Sequence, residues 1–294
     1  MPNEKDNNES IQQELHATRK VGLPRYFEMV GRDLWAFYRA GFLCAVGFLP
    51  GAVLLWFGLM GGSALYSLLG GLLAGLVGAP FVSGMIDTVL RSLRDEPGYW
   101  WHTYRRAWKQ NWRQSLVPGA LLGLFLGGWG WLLRTMLDGR FAATPSATLW
   151  VVAVVSIFIC TGFLAWLLVQ VPLLDLPLGQ LVKNAALMFF GFFPRTLAAA
   201  LVLLVYWGLT LLYMPYTIPV LLLFSFWLPV SAAVMILYPA LDKAFKLEQT
   251  LAARRDAELD DYMADNDRRK ARLWKETPFC CRTPKPLCAA SWTT

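Results

Sequence analysis

The chain has 294 residues, 56% of them hydrophobic and only 16% charged, with a formal net charge of +7, whereas an average soluble domain carries about 25% charged residues. With its few charges bunched into short segments, the composition excludes an ordinary soluble globular domain and describes a polytopic membrane protein. The positive balance does not point to nucleic acid, because the basic clusters contain no reader motif.

Residues 1–24 are rich in Asn, Glu and Gln and too poor in apolar residues to bury a core, so a disordered arm is expected. The first apolar run is long enough to stay in the membrane, so a cleaved leader is not expected. From Pro24 onward, Tyr26, Phe27, Val30, Leu34 and Trp35 recur at helical intervals, which predicts a short amphipathic helix on the membrane surface that turns into the first span.

No Asp, Glu, Lys or Arg occurs between Arg39 and Asp87. At ~20 residues per crossing this interval holds two spans, with the turn expected in Gly58 to Ser63. Further uncharged runs follow at Ser115 to Leu133, Ala147 to Leu174 and Thr196 to Leu241. The last run is long enough for two crossings, with a break at Tyr213 to Pro219, and the expected total is six. Pro215 and Pro219 mark that break, and Pro229 predicts a kink in span six.

Small residues recur every four positions in the first spans, at Gly47 and Gly51, Gly58 and Gly62, Gly71 and Gly75, and in the triplet Gly119, Gly123 and Gly127. Such ridges let helix backbones approach closely, which is the main association force between helices in lipid. The triplet is the expected helix contact.

Lys and Arg number six in residues 1–39, six in residues 87–114 and eleven from Pro239 onward, but only two in Arg134 to Ser146 and two in Val171 to Arg195. Six spans place the three basic-rich segments on one side, and by the positive-inside rule both termini are expected in the cytoplasm. Residues 243–275 carry charges of both signs and suggest a solvated helix, and residues 276–294, rich in Pro and Thr, suggest a disordered tail.

Between spans two and three, residues 94–116 combine four tryptophans with a run of cations. On a helical wheel Trp100, Tyr104, Trp108 and Trp112 form one ridge with Trp101 beside it, while Arg105, Arg106, Lys109, Arg113 and His102 occupy the opposite arc. Glu96-Pro97-Gly98 is expected to separate this helix from span two. An aromatic ridge backed by cations has the form of an interfacial helix lying in the membrane plane against anionic headgroups. Two rival readings are that the ridge packs on the ends of the bundle and that the cations dock an acidic partner. A weaker version follows span four, where Leu181, Ala185, Met188 and Phe192 form a stripe; Arg195 then leads into span five much as Arg113 leads into span three, a hint of two related halves.

Catalytic chemistry has little to stand on. Cys44 and Cys160 fall inside spans, Cys280, Cys281 and Cys288 fall in the tail, and His16 and His102 are the only histidines; none has the spacing of a zinc site. Phosphate-binding loops, nucleophile elbows and intramembrane carboxylate pairs are missing from the sequence. Asp87 and Asp175 fall at expected cytoplasmic span ends, where an interfacial or helix-capping acid is the reading. No catalytic residue, metal or cofactor is expected.

The stretch Gly78 to Leu116 resembles the signature region of the YesL-like bacterial membrane proteins, a family of unknown function. The resemblance rests on Gly78-Ala79-Pro80 near the end of span two and on Trp108-Lys109-Gln110-Asn111-Trp112, with Leu49-Pro50 and Leu181 to Ala185 as further points. It implies a small multi-pass protein of the bacterial plasma membrane. Many such proteins are encoded beside carbohydrate ABC importers, so an ABC transporter component is an implied partner. No ligand residues come with the resemblance.

The expected fold is all-α: a polytopic membrane bundle of about six transmembrane helices, spanning residues 25–242, with cytoplasmic interfacial amphipathic helices. The expected function is that of a non-enzymatic accessory or scaffold component. The alternative is a small transporter moving a solute through the bundle.

Overall fold

A computed structural model describes residues 22–96, 98–138, 146–174, 176–213, 216, 224 and 226–245. The described residues form seven α-helices: α1 Leu23–Gly61, α2 Ala64–Leu93, α3 Trp100–Leu137, α4 Ala147–Gln170, α5 Leu178–Gly191, α6 Phe193–Leu212 and α7 Trp227–Phe245. All except α5, which has 14 residues, are long and apolar enough to cross a membrane, giving six candidate spans. The fold is thus a polytopic helical membrane bundle. The chain divides into two compact units, Met1–Ala240 and Leu241–Thr294. The expected arm before Gly22, the charged helix beyond Phe245, the tail with its cysteines, Pro97, Asp175, Pro215 and Pro219 lie outside the described residues.

α1 is one helix of 39 residues with a single non-helical position, Asp33 at φ −112°, ψ 16°. The expected surface segment is therefore the first turns of α1, and Asp33 is where it bends into the span. Phe27, Leu34 and Trp35 face outward, while Arg25 and Met29 turn inward. The turn to α2 falls inside the expected window: Gly62 sits at φ 66°, Ser63 N donates to Gly58 O at 3.0 Å and Gly62 N to Leu59 O at 3.2 Å. This is a Schellman closure, in which a left-handed residue lets the last carbonyls of the helix find donors.

α2 lies between α1 and α3 and makes its most extensive contacts with those two helices. Glycines set the spacing. A Cβ on Gly71 would lie 2.8 Å from Gly127 N and Cα, and one on Gly75 would lie 2.7 Å from Gly123 N and 2.8 Å from its Cα. From the other side, a Cβ on Gly123 would meet Leu72 Cα at 3.0 Å, and one on Gly127 would meet Leu68 Cα at 3.1 Å. The triplet of α3 thus lies backbone against backbone on Ser67, Gly71 and Gly75 of α2, a spacing no side chain fits.

In the second half, α4 packs on α5 and α6. Trp166 and Thr196 are both fully buried, and the Trp166 indole Nε1 donates to Thr196 Oγ1 at 2.8 Å. Leu181, Ala185 and Met188 form the buried face of α5, as their spacing predicts. Phe192, at φ −121°, ψ 42°, separates α5 from α6. The suggested kinship of the halves therefore does not extend to the connection, because the corresponding segment before span three is unbroken.

The first and last helices meet through aromatics. Phe37 stacks on Trp227 with ring centroids 6.0 Å apart, and Tyr26 Oη lies 3.0 Å from Ser231 Oγ. Pro229 does not kink α7: it falls in the first turn, where a proline's missing N–H is not needed, and the proline inside this helix is Pro239.

Candidate functional site at the basic end of the first three helices

α2 ends in a second Schellman closure. Glu96 N donates to Arg91 O at 3.0 Å and Asp95 N to Ser92 O at 3.3 Å, with Asp95 at φ 56°. This left-handed position usually takes glycine. Here it holds an aspartate whose two carboxylate oxygens each accept from a different guanidinium of α1, Arg25 on one and Arg32 on the other. Arg25 also donates to Leu93 O at 3.3 Å, and Arg32 to Ser92 O at 2.8 Å. Asp33, at the α1 bend, pairs with Arg32 at 3.0 Å and accepts from Ser92 Oγ. The two arginines therefore clamp the C-terminus of α2 by its carbonyls and by its left-handed residue.

Burial alone would raise the Asp95 carboxyl, but the hydrogen bonds and charges of Arg32 and Arg25 outweigh it and hold the group below the ordinary carboxylate value. A second set of pairs continues the network, with Arg91 to Asp87 at 2.8 Å, Arg91 to Glu96 at 3.2 Å and Arg94 to Glu96 at 3.1 Å. Asp87 is not a cap or a water-exposed interfacial acid: it is buried within α2 and paired one turn on with Arg91. Arg32, Asp33, Arg91, Asp95, Glu96 and Trp100 are among the residues lining a cleft of about 370 Å³. Its ionic groups are engaged with one another, so the cleft acts as a clamp between helices. Sequence reasoning missed this network. The i, i+4 pair of Asp87 and Arg91 was its one local signal, and the partners of Asp95 lie 63 and 70 residues away.

The segment read as an interfacial helix is the beginning of α3, which runs without a break from Trp100 to Leu137. At 1.5 Å per residue its 38 residues measure about 57 Å, well beyond the ~30 Å hydrocarbon core. The break before it comes earlier than expected, since α2 ends at Leu93 and the chain reverses at Asp95. The inward line is Tyr104, Ala107, Asn111, Ser115 and Pro118, not a pure aromatic ridge. Trp100 and Trp108 are half-buried, whereas Trp101 and Trp112 are exposed. The reason is steric: small residues at 107, 111 and 115 allow a close approach that four tryptophans in line would prevent. Tyr104 is admitted because it lies across Gly84, where a Cβ would stand 2.8 Å from its ring, and its hydroxyl donates to Phe81 O at 3.3 Å.

Arg105, Arg106, Lys109 and Arg113 are all exposed. Arg113 lies 5.2 Å from the centroid of the Trp112 ring, and among the described residues none of the four forms an ion pair with a carboxylate. Among the cations at this end, Arg25 and Arg32 pair with Asp95 and hold α1 to the end of α2, Arg91 and Arg94 are paired within α2 and its closing turn, and the α3 set leaves its charge to the surroundings. Among the described residues, no group of three or more His, Cys, Asp or Glu side chains is placed to hold a metal ion.

Residues 33–132 match a family model described as protein of unknown function, DUF624. The match runs from the bend at Asp33 to the later turns of α3, and so takes in the glycine seam, Asp95 and the aromatic-cationic segment. A YesL-like reading is consistent with that family. No curated protein and no solved structure matches the chain.

Proposed function

We propose that the protein is a non-enzymatic accessory or scaffold component of the bacterial plasma membrane, with both termini in the cytoplasm, whose α3 presents a cationic face to anionic lipid and to a membrane-protein partner. The observation that carries this reading is the set Arg105, Arg106, Lys109 and Arg113, exposed on one continuous helix and without an ion pair among the described residues, beside Arg25, Arg32, Arg91 and Arg94, each of which is paired with a carboxylate. Cations that take no part in the fold are available for an external anion, and each is worth about 1 kcal/mol near an anionic leaflet. The glycine seam also favours a scaffold over a transporter, because α2 and α3 meet backbone to backbone and leave no path between them. The resemblance to YesL-like proteins suggests a carbohydrate ABC importer component as the partner.

The test is affinity purification from native membranes in mild detergent, comparing the wild type with a variant carrying Gln at positions 105, 106, 109 and 113. A reproducible importer subunit that is lost with the variant supports the reading. Recovery of no partner, together with solute flux in proteoliposomes, would replace it with the small-transporter reading.

A further inference from the structure

Arg39 is the last charged residue before the uncharged interval that α1 and α2 carry into the membrane. Its guanidinium carbon lies 5.0 Å from the ring centroid of Trp35 on its own helix and 5.6 Å from that of Trp100 on α3. Unlike Arg25, Arg32, Arg91 and Arg94, it forms no ion pair with a carboxylate among the described residues, and its side chain is exposed. Indole faces stabilise a cation through their electron-rich surfaces, but they satisfy none of the five N–H donors that lie in the guanidinium plane. Those donors need an acceptor. Trp and Tyr concentrate at the headgroup level of a bilayer, and Trp35, Tyr38, Tyr99, Trp100 and Trp101 gather around Arg39.

Arg39 also lines a cleft of about 350 Å³ with Tyr38, Phe42, Leu43, Tyr99, Trp100 and Trp101. Phe42 and Leu43 continue from Arg39 one turn further into the uncharged part of α1, and Phe42 is exposed. The cleft thus combines a guanidinium at the edge of the uncharged interval, an aromatic rim and an apolar track that follows α1 into that interval. None of its lining residues is a carboxylate that would meet an ammonium group.

We propose that this cleft is a discrete binding site for one anionic phospholipid, with its phosphate on the Arg39 guanidinium and the start of an acyl chain along Phe42 and Leu43. Arginine suits the role because its planar fork presents two parallel N–H donors to a phosphate, which a lysine cannot. The site goes beyond the cationic face of α3: it is built from α1 and the first turn of α3, and it stands whether or not Arg105, Arg106, Lys109 and Arg113 dock a partner.

The test is native mass spectrometry of the full chain in mild detergent, titrated with phosphatidylglycerol or with phosphatidylcholine of the same acyl chains. The wild type is expected to retain one phosphatidylglycerol in preference to phosphatidylcholine. Arg39→Gln is expected to weaken that retention about tenfold or more, Arg39→Lys to fall between, and Arg195→Gln, which removes the same charge elsewhere, to leave it unchanged. Equal retention by Arg39→Gln overturns the site, as does equal retention of the two lipids by the wild type. Inorganic phosphate displacing the lipid at matched concentration would assign the site to a free anion and overturn the lipid. A second readout needs no variant: tryptophan fluorescence of the wild type should be quenched at a lower mole fraction by chain-brominated phosphatidylglycerol than by the phosphatidylcholine analogue, and equal quenching counts against the proposal.

Discussion

Asp95, held at φ 56° in the turn after α2, accepts a hydrogen bond from Arg32 of α1 while its other carboxylate oxygen accepts from Arg25. A left-handed aspartate carries a backbone strain that glycine would avoid, and the two guanidiniums compensate for it. Asp95→Asn keeps a side chain that tolerates this conformation but removes the charge. Because the carboxylate is 41% exposed, the loss is expected to be about 1 kcal/mol, read as a Tm a few degrees lower in detergent. A double-mutant cycle with Arg32→Gln should show coupling, and strictly additive effects would mean the pair does not hold the helices.

The same carboxylate predicts the sign of one pH effect. Its folded value lies below the ordinary 3.8, so its stabilising contribution is complete above that value and is lost as pH falls through the folded value beneath it. Acid titration of the wild type should therefore show a loss of stability in that window that Asp95→Asn lacks. Superimposable acid limbs for the two proteins would exclude the assignment.

Glycines on one helix should differ sharply in their tolerance of alanine. A Cβ on Gly123 would press on the backbone of α2, with Leu72 Cα at 3.0 Å, whereas one on Gly128 would make an ordinary 3.6 Å contact with a Leu68 methyl. Gly123→Ala is expected to cost about 1–3 kcal/mol through forced separation of the helices, and Gly128→Ala to be neutral or slightly stabilising. Chemical or thermal unfolding of the two variants decides the matter; equal stability would contradict the seam.

The Trp166 indole donates to Thr196 Oγ1 at 2.8 Å with both residues fully buried. Thr196→Val keeps the shape but leaves a buried N–H without its partner, at a cost of about 1–3 kcal/mol. Thr196→Ser should recover most of it. A valine variant as stable as the wild type would show that the indole finds another acceptor.

Arginines at the basic end should sort by partner rather than by position. Arg32→Gln is expected to lower Tm because Asp95, Asp33 and Ser92 lose a shared donor. Arg106→Gln, with no ion pair among the described residues, should leave Tm unchanged while lowering the proportion of anionic lipid that copurifies with the detergent-solubilised protein. The reverse pattern would dismiss the division into structural and available cations.

The amino-acid pattern alone determined the number of spans, the turn at Gly62, the break after Leu212 and the glycine triplet that seams α3 to α2. These are consequences of local composition: an uncharged run of membrane length must be helical in lipid, and glycines four apart fall on one helix face. The tertiary structure decided which residues pair across long separations. Asp95 meets Arg25 and Arg32, Asp87 is buried against Arg91, and Arg39 lies between Trp35 of α1 and Trp100 of α3. It also decided that α3 continues through the expected interfacial segment and turns Ala107, Asn111 and Ser115 inward, leaving Trp112 outside. A wheel sorts side chains by polarity, but which face meets a neighbour depends on how closely two backbones can approach, and that distance is a property of both helices together.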